Sequence, residues 1–189
     1  MCGSRDQAGG RRVVAALLGL LIVSACSTSS HPQVLPSITS SPSPSPTASP
    51  DASAEAGAAA LAAYRGFRQA QVAAEAIANA HSPDLAKYAG DKALAQERAN
   101  LLQLARAGIV VTGEPILTPA VASVALGASP EVTITDCIDT SGWKPIYKAT
   151  GKSAAAPGQV ARVLATALAR PYAHGWLIEE LTTDRSRPC

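Results

Sequence analysis

The chain has 189 residues, of which 47% are hydrophobic and only 4% aromatic, with 16 basic and 14 acidic side chains. Arg5, Arg11, Arg12 and Asp6 all fall in the first 25 residues, so the remainder carries no net charge. That balance argues against nucleic acid as a partner, because backbone binding draws on a concentrated positive surface, and against a polybasic membrane footprint.

Residues 1–25 run in the order of an export signal: a basic start, an apolar run from Val13 to Val23, then the small residues Ser24 and Ala25. The run is about half of the ~20 residues that a membrane-spanning helix needs, so a cleaved signal is expected and not a permanent span. Val23-Ser24-Ala25-Cys26 resembles the lipobox of bacterial lipoproteins. The resemblance implies that Cys26 becomes the lipid-bearing first residue of the mature protein. Two acyl chains on one glyceride hold a protein stably where one gives only marginal binding, so the expected location is the outer face of the plasma membrane, lipid-anchored. Arg11-Arg12 leaves the general secretory and twin-arginine routes both open.

From residue 26 to 56 the chain is rich in Ser, Pro, Thr and Ala, centred on Ser41-Pro42-Ser43-Pro44-Ser45-Pro46. Such a stretch has too little apolar surface to offset its ordering entropy and is expected to act as a tether. Residues 57–189 are of ordinary size for one domain, with a core drawn mainly from Leu, Val, Ile and Ala.

Within that domain the spacing predicts a helix from Gly57 to about Asn79, with Leu61, Tyr64, Phe67, Ala70, Ala74 and Ile77 on one apolar face and Arg65, Arg68, Gln69 and Glu75 on the others. Ser82-Pro83 reads as the cap and first position of a short helix ending near Gly90, and Asp91 as the cap of a third helix that stops at Gly108. Beyond Gly108 the texture turns to β-branched residues and alternation. Strands are expected over Ile109–Ile116, Val121–Leu126, Glu131–Ile138, Gln159–Ala169 and Gly175–Thr183, with a bend at Gly113-Glu114-Pro115 and a long loop from Gly151 to Gly158. Helices first and strands after indicate α+β, with N-terminal helices on a curved antiparallel sheet.

That order resembles the nuclear-transport-factor-2-like cone fold, which includes SnoaL-like polyketide cyclases and ketosteroid isomerase. The segments Leu85 to Gly90, Gly108 to Pro115, Asp136-Cys137-Ile138-Asp139, Gly175-Trp176 and Pro188-Cys189 are similar to those of secreted actinobacterial lipoproteins of unknown function. Arg170-Pro171-Tyr172-Ala173-His174-Gly175 departs from the plain turn expected before Trp176, which predicts a longer or bulged last hairpin.

The resemblance implies a pocket between the first helix and the sheet, for which Tyr64, Asp136 and Trp143 are the candidate residues. Enzymes of this fold place a general base there. Asp136 shares strand parity with Val132, Ile134 and Ile138, and a carboxylate among aliphatic groups suits proton abstraction. No second catalytic group is placed beside it, so no catalytic residue is assigned. Asp139 reads as the cap of the turn Thr140-Ser141-Gly142, and Trp143 and Tyr147 as cover for a sheet end or a pocket mouth. His31, His81 and His174 have no ligand spacing, and no motif implies a metal or a cofactor.

Four cysteines are present. Cys2 leaves with the signal and Cys26 is used by the lipid, so Cys137 and Cys189 are expected to pair in an oxidising compartment, tying the C-terminal residues to the sheet. The expected role is a non-enzymatic binding or accessory domain whose partner is an envelope protein, a wall component or a small apolar ligand. The alternatives are a pocket enzyme of ketosteroid-isomerase or cyclase type using Asp136, and an accessory subunit of a membrane transport or wall-synthesis complex.

Overall fold

The computed structural model describes residues 49–186 and 189. The export signal, Cys26, His31 and the tether up to residue 48 lie outside them. Three helices, α1 (Pro50–Glu75), α2 (Leu85–Tyr88) and α3 (Asp91–Ala107), precede six strands, β1 (Ile109–Thr112), β2 (Pro119–Ala125), β3 (Glu131–Asp139), β4 (Lys144–Tyr147), β5 (Arg162–Tyr172) and β6 (Gly175–Asp184). The fold is α+β, with a four-stranded antiparallel sheet ordered β2-β3-β5-β6 and a two-stranded antiparallel sheet of β1 and β4. Among the described residues no helix is long and apolar enough to cross a membrane.

The first helix starts seven residues earlier than the spacing predicts, inside the expected tether. Pro50 supplies a pre-set φ at the first helical position and Asp51 places a negative charge in the first turn, so the start signal is hidden in a Ser/Pro tract. The helix also stops short, at Glu75, and Ile77 lies beyond it and exposed. The inner face of α1 carries Ala56, Ala60, Ala63, Ala70 and Ala74, and that of β5 carries Ala165, Ala167 and Ala169. Small side chains on both surfaces bring the helix close to the sheet, and Tyr64 and Phe67 fill the remaining space.

Ser82 makes no cap, and α2 is a single turn flanked by Asp84; at α3, Gly90 and not Asp91 holds the flanking position. Gly108 stops α3 at φ 66°, as expected of a left-handed cap. The Gly90 amide donates to Ile178 O at 2.8 Å, which stitches the α2–α3 junction to β6 beside its bulge at Glu179, where Ile178 and Glu180 oppose the consecutive Ala169 and Leu168 of β5.

The first strand is cut at Thr112, and the short β4 pairs with it, from Ile109 opposite Tyr147 to Thr112 opposite Lys144. Gly113 turns the chain out at φ 79°, and Ile116 then bridges Asp139. The last hairpin is not lengthened, since Tyr172 pairs with Gly175 across Ala173-His174, but it is bulged as the alternative expectation had it, with Glu179 of β6 left over between the pairs Ala169–Ile178 and Leu168–Glu180. Pro171 is tolerated in β5 because the pairing with β3 ends at Ala169, so no ladder partner on that side needs its missing N–H.

On β3 the residues Val132, Ile134, Asp136 and Ile138 are buried, in the parity expected, while Cys137 faces the other way. Cys137 is bonded to Cys189, with 5.8 Å between their Cα atoms.

Candidate ligand cavity

The stripe of α1 formed by Tyr64, Arg68, Gln71 and Glu75 recurs at three- and four-residue spacing, and all four side chains are buried. The expectation that Arg68 and Glu75 lie on faces other than the buried one is therefore corrected: each is 4% exposed, whereas Arg65 and Gln69 do face solvent. The physical reason is that α1 is covered on two sides, by the sheet and by α3. From α3, Ala93, Glu97 and Leu101 point inward at four-residue spacing.

These groups form one hydrogen-bonded chain. Thr118 N donates to Asp136 Oδ1 at 2.7 Å and the Tyr64 hydroxyl to Oδ2 at 2.8 Å. Arg68 donates through Nε to the Tyr64 oxygen at 3.0 Å and through Nη1 to Gln71 Oε1 at 2.8 Å, with its guanidinium 5.1 Å from the centre of the Tyr64 ring. Gln71 Nε2 donates to Glu97 Oε2 at 2.8 Å and more weakly to Glu75 Oε1 at 3.4 Å, which also accepts from Asn100 Nδ2 at 3.0 Å. The chain crosses from the sheet through α1 to α3.

Burial, followed by the neighbouring Glu97 carboxyl, raises the Glu75 pKa to about 8, and burial also raises that of Glu97. Burial pushes the Tyr64 hydroxyl upward as well, which keeps it a donor to Asp136.

Beside this chain opens a cavity of about 480 Å³ between α1, α3 and the inner ends of both sheets. That lies within the ~300–1,000 Å³ typical of small-molecule sites. Arg68, Gln71, Glu75, Glu97 and Asn100 form its polar side, and Trp143 stands opposite among Val111, Ile138 and Val163. Among the described residues, three buried atoms of the lining have no hydrogen-bond partner: Arg68 Nη2, Glu97 Oε1 and Trp143 Nε1.

Of the expected pocket residues, then, Trp143 lines the cavity, whereas Tyr64 and Asp136 lie beneath it and reach it only through Arg68. The lining is also more polar than an apolar-ligand pocket would be. Asp139 caps its turn, accepting from Ser141 N at 2.9 Å, and Tyr147 is exposed on β4 away from the cavity. His81 is exposed, and His174 sits in the last hairpin turn. The residues that sequence reasoning missed are Arg68, Gln71, Glu75, Glu97 and Asn100. Their signal was position: Glu97 stands midway between Ala93 and Leu101 on the buried stripe of α3.

No protein-family model matches the chain, and no curated protein matches it. Among solved structures it is similar to the intermembrane space region of the chloroplast protein ARC6, at 13% identity and a TM-score of 0.41 over 67% of this chain and 95% of that one. A likeness of that degree carries no functional argument.

Proposed function

We propose that the chain is a cell-envelope lipoprotein, anchored through Cys26 on the outer face of the plasma membrane, whose folded domain is a non-enzymatic module that binds a small molecule. The observation that carries the reading is the cavity, where Arg68 and Glu97, 4% and 6% exposed, each keep a polar atom unpartnered. An unsatisfied buried polar group costs about 1–3 kcal/mol, and more when charged, so a ligand that supplies the missing partners binds and stabilises together. Asp136 is engaged by Tyr64 and Thr118 below the cavity, which favours binding over turnover by a base at that position. We read the finer fold as cone-like, of the nuclear-transport-factor-2 kind, on the strength of a long helix lying against a bulged antiparallel sheet. The Cys137–Cys189 bond accords with an oxidising compartment.

Two measurements test this reading. Labelling cells with a fatty-acid analogue is expected to mark the wild-type chain and place it in the membrane fraction, and Cys26→Ala is expected to lose both; acylation of the substituted chain would refute the anchor. A chemically diverse fragment screen on the full chain in mild detergent, read by the Trp143 indole N–H resonance, is expected to yield ligands. No fragment moving that resonance, or turnover of an enolisable ketone that Asp136→Asn abolishes, would overturn the binding module.

A further inference from the structure

We propose that the cavity takes a small zwitterion, with its carboxylate on Arg68 and its ammonium on Glu97. The inference rests on the binding-module reading above and adds the chemical class of the ligand.

The two groups that Arg68 bonds within the chain, the Tyr64 hydroxyl and the Gln71 carbonyl, are both neutral. The nearest anions in that chain, Asp136 behind Tyr64 and Glu97 behind Gln71, are each one residue removed. A buried guanidinium with two neutral acceptors and a free Nη2 calls for an anionic acceptor, and the planar fork of arginine matches a carboxylate. On α3, Glu97 accepts from Gln71 through Oε2 and interacts with the neighbouring Glu75 carboxyl and Asn100, while its Oε1 has no hydrogen-bond partner among the described residues and can accept from a ligand donor.

Gln71 stands between the two, its carbonyl held by Arg68 and its amide by Glu97. This fixes a cationic and an anionic group a glutamine apart on one wall, so the complementary ligand has its two charges separated to match. Leaving either buried charge without its partner is costly, and this selects the zwitterion against singly charged relatives. Trp143 Nε1, on the other wall, supplies a neutral donor for a carbonyl between the two ends. A dipeptide has that order of groups.

The test is calorimetric titration of the full chain in mild detergent with four probes: Ala-Ala, its N-acetylated form, its C-terminal amide and the doubly blocked form. Ala-Ala is expected to bind at least tenfold more tightly than any blocked form. Glu97→Gln keeps the size of the side chain and its bond to Gln71; it is expected to remove the advantage of a free ammonium while leaving the N-acetylated probe unchanged. Arg68→Lys is expected to weaken every probe with a free carboxylate. Equal binding of all four probes overturns the zwitterion and leaves the binding module standing. Absence of heat with every probe at about 10 mM, where a millimolar site would be filled, overturns the zwitterion as well, and the fragment screen then decides the module separately. Wild-type affinity of Glu97→Gln for Ala-Ala also overturns it.

Discussion

The Tyr64 hydroxyl donates to Asp136 across 2.8 Å while accepting from Arg68 at 3.0 Å, so one phenol oxygen joins a buried carboxylate to a buried guanidinium. Tyr64→Phe leaves Asp136 Oδ2 and Arg68 Nε without that partner in a site that water does not reach. The expected cost is about 2–4 kcal/mol, since each stranded group loses about 1–3 kcal/mol. Thermal denaturation checks it: the midpoint falls by about 6–24 °C, at roughly 3–6 °C per kcal/mol for a domain of this size. Asp136→Asn keeps one acceptor oxygen for two donors and is expected to cost less than Tyr64→Phe.

The raised carboxyls make stability depend on pH with a definite sign. Glu75 has an ordinary value of 4.5 and a folded value of about 8, with Glu97 and Arg68 as the charged groups facing it. Between those values the folded chain holds a proton that the unfolded chain has released. The contribution is therefore complete below about pH 4.5 and is lost as the pH rises through about 8. The shift of Glu97 is in the same direction and adds to the trend. Melting curves from pH 5 to pH 8.5 are expected to show a decline of at least about 5 °C, and Glu75→Gln, which cannot ionise, to flatten most of it.

Reading the sequence forward succeeds where one residue decides the matter and fails where two distant segments do. That Asp136 faces the apolar side of β3 follows from strand parity alone, and the Cys137–Cys189 bond from elimination among four cysteines. Arg68 and Glu75 were illegible because a charged residue on a helix is ordinarily solvated. What buries them is α3, which supplies Glu97 and Asn100 from 25 or more residues away. Strand β4 was hidden for a similar reason. Lys144-Pro145-Ile146-Tyr147 is short and holds a proline, and only its pairing with β1 makes it a strand.

Gly66 offers a prediction whose sign is diagnostic. An exposed helical glycine changed to alanine is usually worth about 1 kcal/mol of added stability. Here a methyl group at Gly66 would run into the ring of Tyr88, which α2 lays against α1. Gly66→Ala is therefore expected to destabilise by about 1 kcal/mol, as overpacking does. Made together with Tyr88→Ala, the same change is expected to stabilise. A double-mutant cycle in urea measures the coupling.

Removing the disulfide is expected to cost about 4 kcal/mol in the chain-entropy model, for a pair 52 residues apart. Cys137→Ser and Cys189→Ser should have nearly equal effects, and the double substitution should add little to either, because each alone opens the loop. Denaturant midpoints of the three variants check this, and additive losses would mean that the thiols also contribute separately.

The same bond redirects mechanical load. With Cys189 fastened to Cys137, a pull between Pro50 and Cys189 runs along the backbone from α1 to the middle of β3 and then crosses the sulfur atoms. Strands β4, β5 and β6 hang in the covalent loop outside that path. Stretching the oxidised molecule can peel the helices and β2 away, but it cannot draw out the segment from β4 to β6 until the bond is reduced. Half of the sheet is thereby excluded from any extension applied between those two points.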